Sequence, residues 1–198
     1  MMATVRAARG EVPVNAAATV ARAGRRAAAA PAAAGRAVGF PPVVDAGVHT
    51  LVLGSFPSAA SLGAGRYYGH PRNHFWRLMG AVLGEPLADL DSARRLQRLL
   101  AHRIGLWDVI AECAREGSLD SAIRDARPNP VEPVLAGLPS LRRVFFNGAT
   151  AGRSSRWFAA RGFETFILPS SSPALTIGFE AKLERWRAIA GGRGEARC

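Results

Sequence analysis

The stretch from Leu51 to Trp76 constrains the fold more than any other part of the chain. It begins as an apolar run, breaks at Gly54 in a Gly-Ser-Phe-Pro-Ser turn, and opens a new helix near Asn73. A buried strand followed by such a turn is how α/β proteins build a site at the carboxyl edge of a sheet. The density of polar and aromatic residues beyond this strand favours a site over an ordinary connection: Ser55, Phe56, Tyr67, Tyr68, His70, Asn73 and Phe75.

The remaining chain alternates strand-like and helix-like patterns. Strands are predicted at 49–53, 104–110, 143–147 and 164–168, and helices at 73–83, 89–102, 131–138, 150–160 and 179–189. The segment 117–127 is polar and is predicted to be a loop. Strands that alternate with helices indicate an α/β protein, here a three-layer α/β/α fold around a central, mainly parallel four-stranded sheet.

Composition divides the chain into three parts. Residues 1–38 contain six Arg and one acid, Glu11, and almost no large apolar side chain. Such a segment buries too little surface to offset its ordering entropy, so a disordered Ala/Arg-rich tail is predicted. The folded domain is expected at 39–190, and a flexible C-terminus at 191–198.

The charge and the cysteines limit the classes of function. The net charge of +11 favours a polyanionic partner, although a bias toward Ala, Arg and Gly is an equal explanation for much of it. The two cysteines, Cys113 and Cys198, do not suggest a disulfide framework or a four-ligand metal site. A reducing cytosol is therefore expected, and no apolar run approaches the roughly 18 residues of a membrane span.

Two sequence blocks together resemble a known family. They are LGSFPS at 53–58 and YYGHPRNHFW at 67–76. This pair resembles the uracil-DNA glycosylase superfamily and looks most like its hypoxanthine-DNA (deoxyinosine) glycosylase branch. Further motifs follow in the order that branch has them, at 106–109, 117–121, 146–148 and 168–174, so that the resemblance covers roughly residues 40–189.

Two departures from the superfamily bear on the mechanism. Phe56 stands where mismatch-specific relatives carry a water-positioning Asn, and the acid that classical uracil enzymes use in this turn is absent. The resemblance to the deoxyinosine branch implies that catalysis depends on stabilising the departing base, with Asn73 as the catalytic residue. Leu175 replaces a small or polar residue expected after the last loop.

The resemblance also implies the binding residues. Substrate-binding residues are predicted at Gly54, Ser55, Phe56, Pro57, Tyr67, Tyr68, His70 and Asn147. DNA-binding residues are predicted at Ser58, Arg72, Ser170, Ser171, Ser172 and Pro173. No metal and no cofactor are expected, because this hydrolysis needs only donors toward the base, a positioned water and a hold on the backbone.

Several of these residues have structural alternatives. Asn73 and Asn147 suit helix capping as well as base reading, and one of Phe56, Tyr67 and Tyr68 is expected to belong to the core. A His before Pro, as at His70, is equally often structural. Asp108 and Asp120 are candidates for general-base work, although orienting a backbone group and capping a short segment are the favoured interpretations.

The predicted function is DNA repair by a monofunctional DNA glycosylase. It hydrolyses the N-glycosidic bond of a deaminated base, hypoxanthine and/or uracil, that is flipped out of DNA, and it leaves an abasic site. The alternative is a non-catalytic nucleic-acid-binding module on the same fold, whose sign would be a pocket blocked by Phe56 or a tyrosine. A serine esterase and a Rossmann cofactor enzyme are disfavoured, since neither Gly-x-Ser-x-Gly nor Gly-x-Gly-x-x-Gly follows the first strand.

The expected partner is DNA containing deaminated bases, without a membrane, and the protein is expected to be a monomer. The expected location is the cytoplasm of a bacterial-type cell, in association with the nucleoid through DNA.

Overall fold

A computed structural model describes residues 36–115 and 117–191 of the 198-residue chain. Its strands are β1 (Arg36–Val38), β2 (Thr50–Gly54), β3 (Ile104–Asp108), β4 (Ile110–Ala114), β5 (Arg124–Pro128), β6 (Arg143–Asn147) and β7 (Glu164–Leu168). Its helices are α1 (Ala59–Gly63), α2 (Phe75–Leu83), α3 (Ser92–Ala101), α4 (Val131–Ala136), α5 (Ala149–Gly152), α6 (Ser155–Ala159) and α7 (Phe179–Trp186). No helix in these two ranges is long and apolar enough to cross a membrane.

The central sheet has the strand order β3-β2-β6-β7, and all neighbouring strands are parallel. Successive residues of β2 face opposite layers, as the alternation of side chains along a strand requires. Val52 packs in the cluster that holds Phe75 of α2 and Trp186 of α7. Leu51 and Leu53 pack in the cluster of the opposite layer, which includes residues of α4, α5 and α6. The predicted three-layer α/β/α fold is confirmed.

A second sheet was not predicted from the sequence. It has three antiparallel strands in the order β1-β4-β5. Every residue of β5 is exposed, so the strand carries no alternation of apolar and polar residues that would distinguish it from a loop. The prediction of a loop at 117–127 is therefore wrong for β5, which is held by backbone pairing to β4.

Helix ends also differ from the predicted ones for local reasons. The predicted helix at 150–160 is two short helices, α5 and α6. The predicted loop after β2 contains α1, because the Ser58 hydroxyl accepts a hydrogen bond from the Ser61 amide at 3.1 Å and caps this turn. The helix α2 ends at Gly84, whose φ of 70° is the left-handed conformation that glycine adopts without strain.

The domain begins earlier than predicted. Arg36, in the predicted tail, starts β1, and its guanidinium contacts the Glu112 carboxylate at 3.2 Å and the Asp125 carbonyl at 2.8 Å. One side chain thus joins all three strands of the second sheet. Residues 36–38 of the predicted tail thus belong to the folded domain, while residues 1–35 and 192–198 lie outside the described ranges.

Deleting residues 1–35 is expected to leave the melting transition unchanged, whereas deleting 1–38 removes β1. The second deletion also removes the Arg36 contacts and exposes the edge of β4, so we expect it to lower the free energy of unfolding by about 1–3 kcal/mol. Thermal unfolding of the two deletion variants beside the full chain measures this difference. Equal stability of the two variants would place the boundary at residue 39 after all.

Candidate active site

The carboxyl ends of the central strands open into a cavity of about 290 Å³. Three strands contribute their last residue to its lining: Gly54 from β2, Asp108 from β3 and Asn147 from β6. The segments after the strands, including α1, supply the other lining residues: Ser55, Phe56, Pro57, Ser58, Ser61, Tyr67, Tyr68, Asn73, Ser118, Leu119, Asp120, Ser170, Ser171, Ser172, Ala174 and Leu175. Parallel pairing of the strands therefore brings together, at one edge of the sheet, lining residues that are spread over about 120 residues of the sequence.

Asn73 lines the cavity just before α2. Its Oδ1 accepts a hydrogen bond from the Phe75 amide at 3.0 Å, which satisfies one of the free donors at the start of the helix. This bond fixes which end of the amide is which, because only the oxygen can accept it. The Nδ2 group is left as a donor, and no described residue accepts a hydrogen bond from it. The structure thus gives Asn73 both the capping role and a free donor.

Asn147 is the centre of a hydrogen-bond network. Its Nδ2 donates to the Tyr68 hydroxyl at 3.1 Å and to the Ser171 hydroxyl at 2.9 Å, and its Oδ1 accepts from the Ser171 amide at 2.8 Å. Both amide hydrogens are therefore engaged. Asn147 connects β6 to two loops of the cavity wall, and its predicted contact with a base stays a prediction.

Ser171 is the fully buried residue in the middle of the loop 169–173, which we call the serine loop. Its hydroxyl bonds Asn147, and its carbonyl accepts from the His74 amide at 3.0 Å. The Ser171 hydroxyl has no exposed surface and is engaged with Asn147, so the structure gives no support to a phosphate contact by Ser171, which stays a prediction. Ser171 fastens the serine loop to β6 and to α2.

Ser170 and Ser172 remain available for DNA. Each hydroxyl accepts a hydrogen bond from the backbone amide two residues later, with an N–O distance of 3.2 Å in both cases. The hydroxyl's own hydrogen is therefore free to be donated. Lys182 lies fully buried under the same loop, and its Nζ donates to the Ser172 carbonyl at 2.9 Å. Burial lowers the pKa of Lys182. Pro173 lies in the loop but is not part of the cavity wall.

The three aromatic candidates all line the cavity, but in different ways. Tyr68 stacks on Phe75 with ring centroids 3.7 Å apart and an interplanar angle of 11°. Tyr67 is only 6% exposed and donates its hydroxyl to the Pro41 carbonyl at 3.2 Å, which makes it the core residue of the three. Phe56 is equally buried, beneath the Arg115 guanidinium. Burial raises the pKa of both tyrosines, so they are neutral phenols.

The first turn is tied to the loop after β4. The Ser55 hydroxyl donates to the Asp120 carboxylate at 2.8 Å, and the Ser118 hydroxyl accepts from the Ala59 amide at 3.0 Å. The Pro57 carbonyl accepts a hydrogen bond from Arg115. Ser58 lines the cavity while it caps α1. The turn thus has a defined shape without help from a bound molecule.

Two predicted residues of the His-Pro loop lie outside the cavity wall. The His70 Nδ1 accepts from the Arg72 amide at 3.1 Å, which is the structural role of a histidine in a tight turn. The Arg72 side chain is exposed. The structure therefore gives no support to His70 as a substrate-binding residue, and a phosphate contact by Arg72 stays a prediction.

Asp108 also lines the cavity, although the predicted site residues do not include it and the sequence favoured a backbone-orienting role over general-base work. It is 4% exposed, and its Oδ2 has no hydrogen-bond partner among the described residues. Burial first, and then the charge of Asp120, raise the pKa of Asp108 to about 7, while Arg115 opposes the shift. The signal in the sequence was a Trp-Asp pair at a strand end, but only the strand order shows that this aspartate adjoins the first turn.

Gly54 makes room for this carboxylate. A Cβ at Gly54 would lie 2.3 Å from Oδ1 of Asp108 and 3.0 Å from the Tyr68 hydroxyl. Any side chain at this position would displace the carboxylate or the tyrosine. Glycine is therefore required at position 54 because the Asp108 carboxylate occupies the space of a side chain. Among the described residues, no group of three His, Cys, Asp or Glu side chains is placed to hold a metal ion.

Comparison with known proteins gives a consistent result. No protein-family model matches the chain. Two relatives named hypoxanthine DNA glycosylase, from Methanosarcina barkeri and Methanosarcina acetivorans, are 40% and 42% identical over 148 and 151 residues. The alignments cover 75% and 76% of this chain and 94% and 96% of the relatives.

A solved structure agrees with them. It is the solution NMR structure of a protein from Methanosarcina acetivorans that is proposed to be a uracil DNA glycosylase. The TM-score is 0.72 at 41% identity, and the match covers 78% of this chain and 96% of that one.

The chain matches these relatives over nearly their whole length at about 40% identity, so the protein is an enzyme of the DNA glycosylase class. The chain belongs to the uracil-DNA glycosylase superfamily, in its hypoxanthine-DNA glycosylase branch, and DNA is its substrate.

Replacing Asp108 by Asn is expected to stabilise the protein in a pH-dependent way. The folded-state pKa of about 7 lies above the ordinary value of 3.8, so the folded state binds the extra proton between these values. Stability due to Asp108 therefore falls as pH rises from about 4 to about 7. The gain from Asp108→Asn should grow over this interval, reach a few kcal/mol at most, and stay constant above it. Urea unfolding at several pH values measures the gain, and a constant gain would contradict the raised pKa.

Ser171→Ala is expected to lower the stability of the protein, whereas Ser172→Ala is expected to weaken DNA binding. The first leaves a buried Asn147 donor without its acceptor, so we expect a loss of about 1–3 kcal/mol in the free energy of unfolding. The second should leave the melting temperature nearly unchanged and weaken DNA binding about three- to tenfold. Thermal melting and fluorescence anisotropy with labelled DNA measure the two effects. A larger binding defect in a stable Ser171→Ala variant would restore the phosphate contact first predicted.

Proposed function

We propose that this enzyme excises deaminated bases from DNA, hypoxanthine first and uracil second. It hydrolyses the N-glycosidic bond of a flipped nucleotide and leaves an abasic site, without a lyase step. The observation that carries the proposal is the free amide donor of Asn73 in the cavity wall. The names of the relatives support hypoxanthine, and the NMR structure supports uracil as a second base.

The chemistry explains why a fixed donor matters. Breaking the bond passes through an oxocarbenium-like sugar, while negative charge grows on the departing base. A donor that is already oriented stabilises this charge without reorganising in the transition state. The bond from the Phe75 amide holds Asn73 in such an orientation before any substrate arrives.

The same donor favours deaminated bases over adenine. Hypoxanthine, uracil and xanthine all carry a carbonyl oxygen beside a ring N–H, and this oxygen accepts a hydrogen bond from Nδ2 of Asn73. Adenine has an amino group in the place of that oxygen, so two donors would face each other. A site built to pair one group rejects an analogue that leaves it unpaired.

The rim of the cavity offers contacts for DNA. The Ser170 and Ser172 hydroxyls have donors free for phosphate oxygens, and Lys182 lies directly beneath them. Leu119 lines the cavity and is 56% exposed, which suits an apolar contact with the bases that the flipped nucleotide leaves behind. Tyr68 and Phe56 supply flat surfaces beside an extruded base.

The cavity argues against a non-catalytic binding module. That alternative required a pocket blocked by Phe56 or a tyrosine, but all three aromatic side chains form the wall of a cavity that remains open. No observation favours the alternative.

The assembly and the location are part of the proposal. We expect a monomer, and size-exclusion chromatography with light scattering tests this. We expect the protein in the prokaryotic cytoplasm, where its DNA substrate lies. A fluorescent fusion that fails to follow the nucleoid would contradict this location.

A panel of labelled oligonucleotides tests the substrate. Each carries hypoxanthine, uracil, xanthine or adenine at one position, in single-stranded and duplex form. After incubation with the enzyme, alkali converts abasic sites to strand breaks. Breaks at hypoxanthine and uracil but not at adenine are expected, and no breaks at any deaminated base would overturn the proposal.

Asn73→Ala is expected to lower the single-turnover rate by about 10²- to 10³-fold, because one preorganised donor is lost. Asn73→Asp is the matched control, since it retains an oxygen for the Phe75 amide and lacks the donor. Both variants should lose activity and still bind DNA. Only Asn73→Ala should also lose about 0.5–2 kcal/mol of stability with the cap. Wild-type excision by either variant on saturating substrate would sink the catalytic assignment.

A further inference from the structure

Asp108 lines the cavity with a buried carboxylate whose Oδ2 has no hydrogen-bond partner among the described residues. A buried carboxylate ordinarily accepts hydrogen bonds or pairs with a cation, since desolvation without compensation is costly. Asn129 donates to the backbone carbonyl of Asp108 at 2.8 Å, but Oδ2 of the carboxylate has no hydrogen-bond partner and no ion pair involves it among the described residues. The fold nevertheless accommodates this carboxylate, because a Cβ at position 54 would lie 2.3 Å from its Oδ1 and Gly54 has none. An unpaired acid that the fold accommodates at a site is typical of a functional group.

The register of the sheet places this acid beside the first turn. Gly54 and Asp108 are paired residues on β2 and β3, and both line the cavity. Phe56, two residues into the turn, has no polar atom with which to hold a water. The neighbouring strand thus brings a carboxylate to the place where the turn itself lacks one.

We infer that Asp108 is the general base of the reaction: its carboxylate orients the attacking water and takes the proton from it. This inference rests on the proposed function and assigns the part of the reaction that Asn73 does not perform. Asn73 offers a donor, and a donor suits the departing base, while an attacking water needs an acceptor.

The step balances without any further reagent. The water oxygen forms a bond to C1′ of the sugar, and the bond from C1′ to the base nitrogen breaks. The electron pair of that bond leaves with the base, where the Asn73 donor stabilises it. Asp108 receives one proton from the water. The products are an abasic sugar with a hydroxyl on C1′ and a free base that is protonated from solvent.

The charged and titratable neighbours of Asp108 suit this role. Asp120, in the loop that bonds Ser55, adds negative charge and favours proton uptake, and Arg115 opposes it. Tyr67 and Tyr68 face the same carboxylate, which together with burial keeps both phenols protonated. Asp108 therefore exchanges its proton near neutral pH, where a general base is most effective.

The pH dependence of single-turnover excision tests the inference, with saturating enzyme and a hypoxanthine-containing duplex. The wild-type rate should fall tenfold per pH unit below an inflection near pH 7 and be constant above it. Asp108→Asn should lower the rate by about 10²- to 10⁴-fold, abolish this inflection, and leave DNA affinity within about threefold.

Two further variants distinguish a base from a merely structural acid. Burial is the main cause of the raised pKa of Asp108, and the charge of Asp120 adds to it. Asp120→Asn removes that charge, so the inflection should move to lower pH. Glu164→Gln changes an exposed acid at the opposite edge of the sheet and should leave the profile unchanged.

The outcomes separate the inference from the function beneath it. An active wild type with Asp108→Asn at the same rate, or with a rate that falls as pH rises through 7, overturns the inference alone. An inflection that does not move in Asp120→Asn also overturns it. A wild type that releases no deaminated base overturns the proposed function and this inference with it.

Discussion

Everything at the site depends on the parallel pairing of β2 with β3 and β6. Because β2 is buried along its whole length between two neighbours, its register is fixed by two ladders at once. That register puts Gly54 beside Asp108, and the next strand ends in Asn147. A slip of one residue in either ladder would turn a polar end residue into the core and an apolar one into the cavity. The apolar pattern of the strands therefore specifies the chemistry at their ends.

Hydrogen bonds of Asn147 connect the end of β6 to the loops of the cavity wall. Through Tyr68 it fixes the ring that stacks on Phe75 at the start of α2, and through Ser171 it fixes the serine loop. Buried polar networks of this kind rigidify a site because every member has its partner. The loops that face DNA are thus held from behind, and the residues on their outer face, Ser170 and Ser172, are free to bind.

The sequence predicted the central sheet well because buried strands carry a continuous apolar signal and end in turn residues. It missed β5 because all five of its residues are exposed, and it missed β1 because a three-residue strand in an Ala/Arg-rich context has no pattern of its own. At the site, residue type identified Asn73, Tyr68 and the serine loop. It could not distinguish Ser171 from its neighbours, since which of three adjacent serines turns inward depends on the position of Asn147.

The importance of Asp108, like the burial of Ser171, could not be predicted from residue type alone. In the sequence Asp108 is one acid after a tryptophan. Its importance arises only from what surrounds it: a glycine with no Cβ, no hydrogen-bond partner for Oδ2 among the described residues, and a second acid nearby. At the position in the first turn where a water-positioning residue was expected, Phe56 supplies no polar side chain. Neighbouring strands of a parallel sheet end at the same edge, so a group that is absent from one strand end can be replaced from the next without any change of fold. The acid of such a site is found from the order of the strands. A sequence comparison confined to the first turn shows only that the water-positioning side chain is missing there.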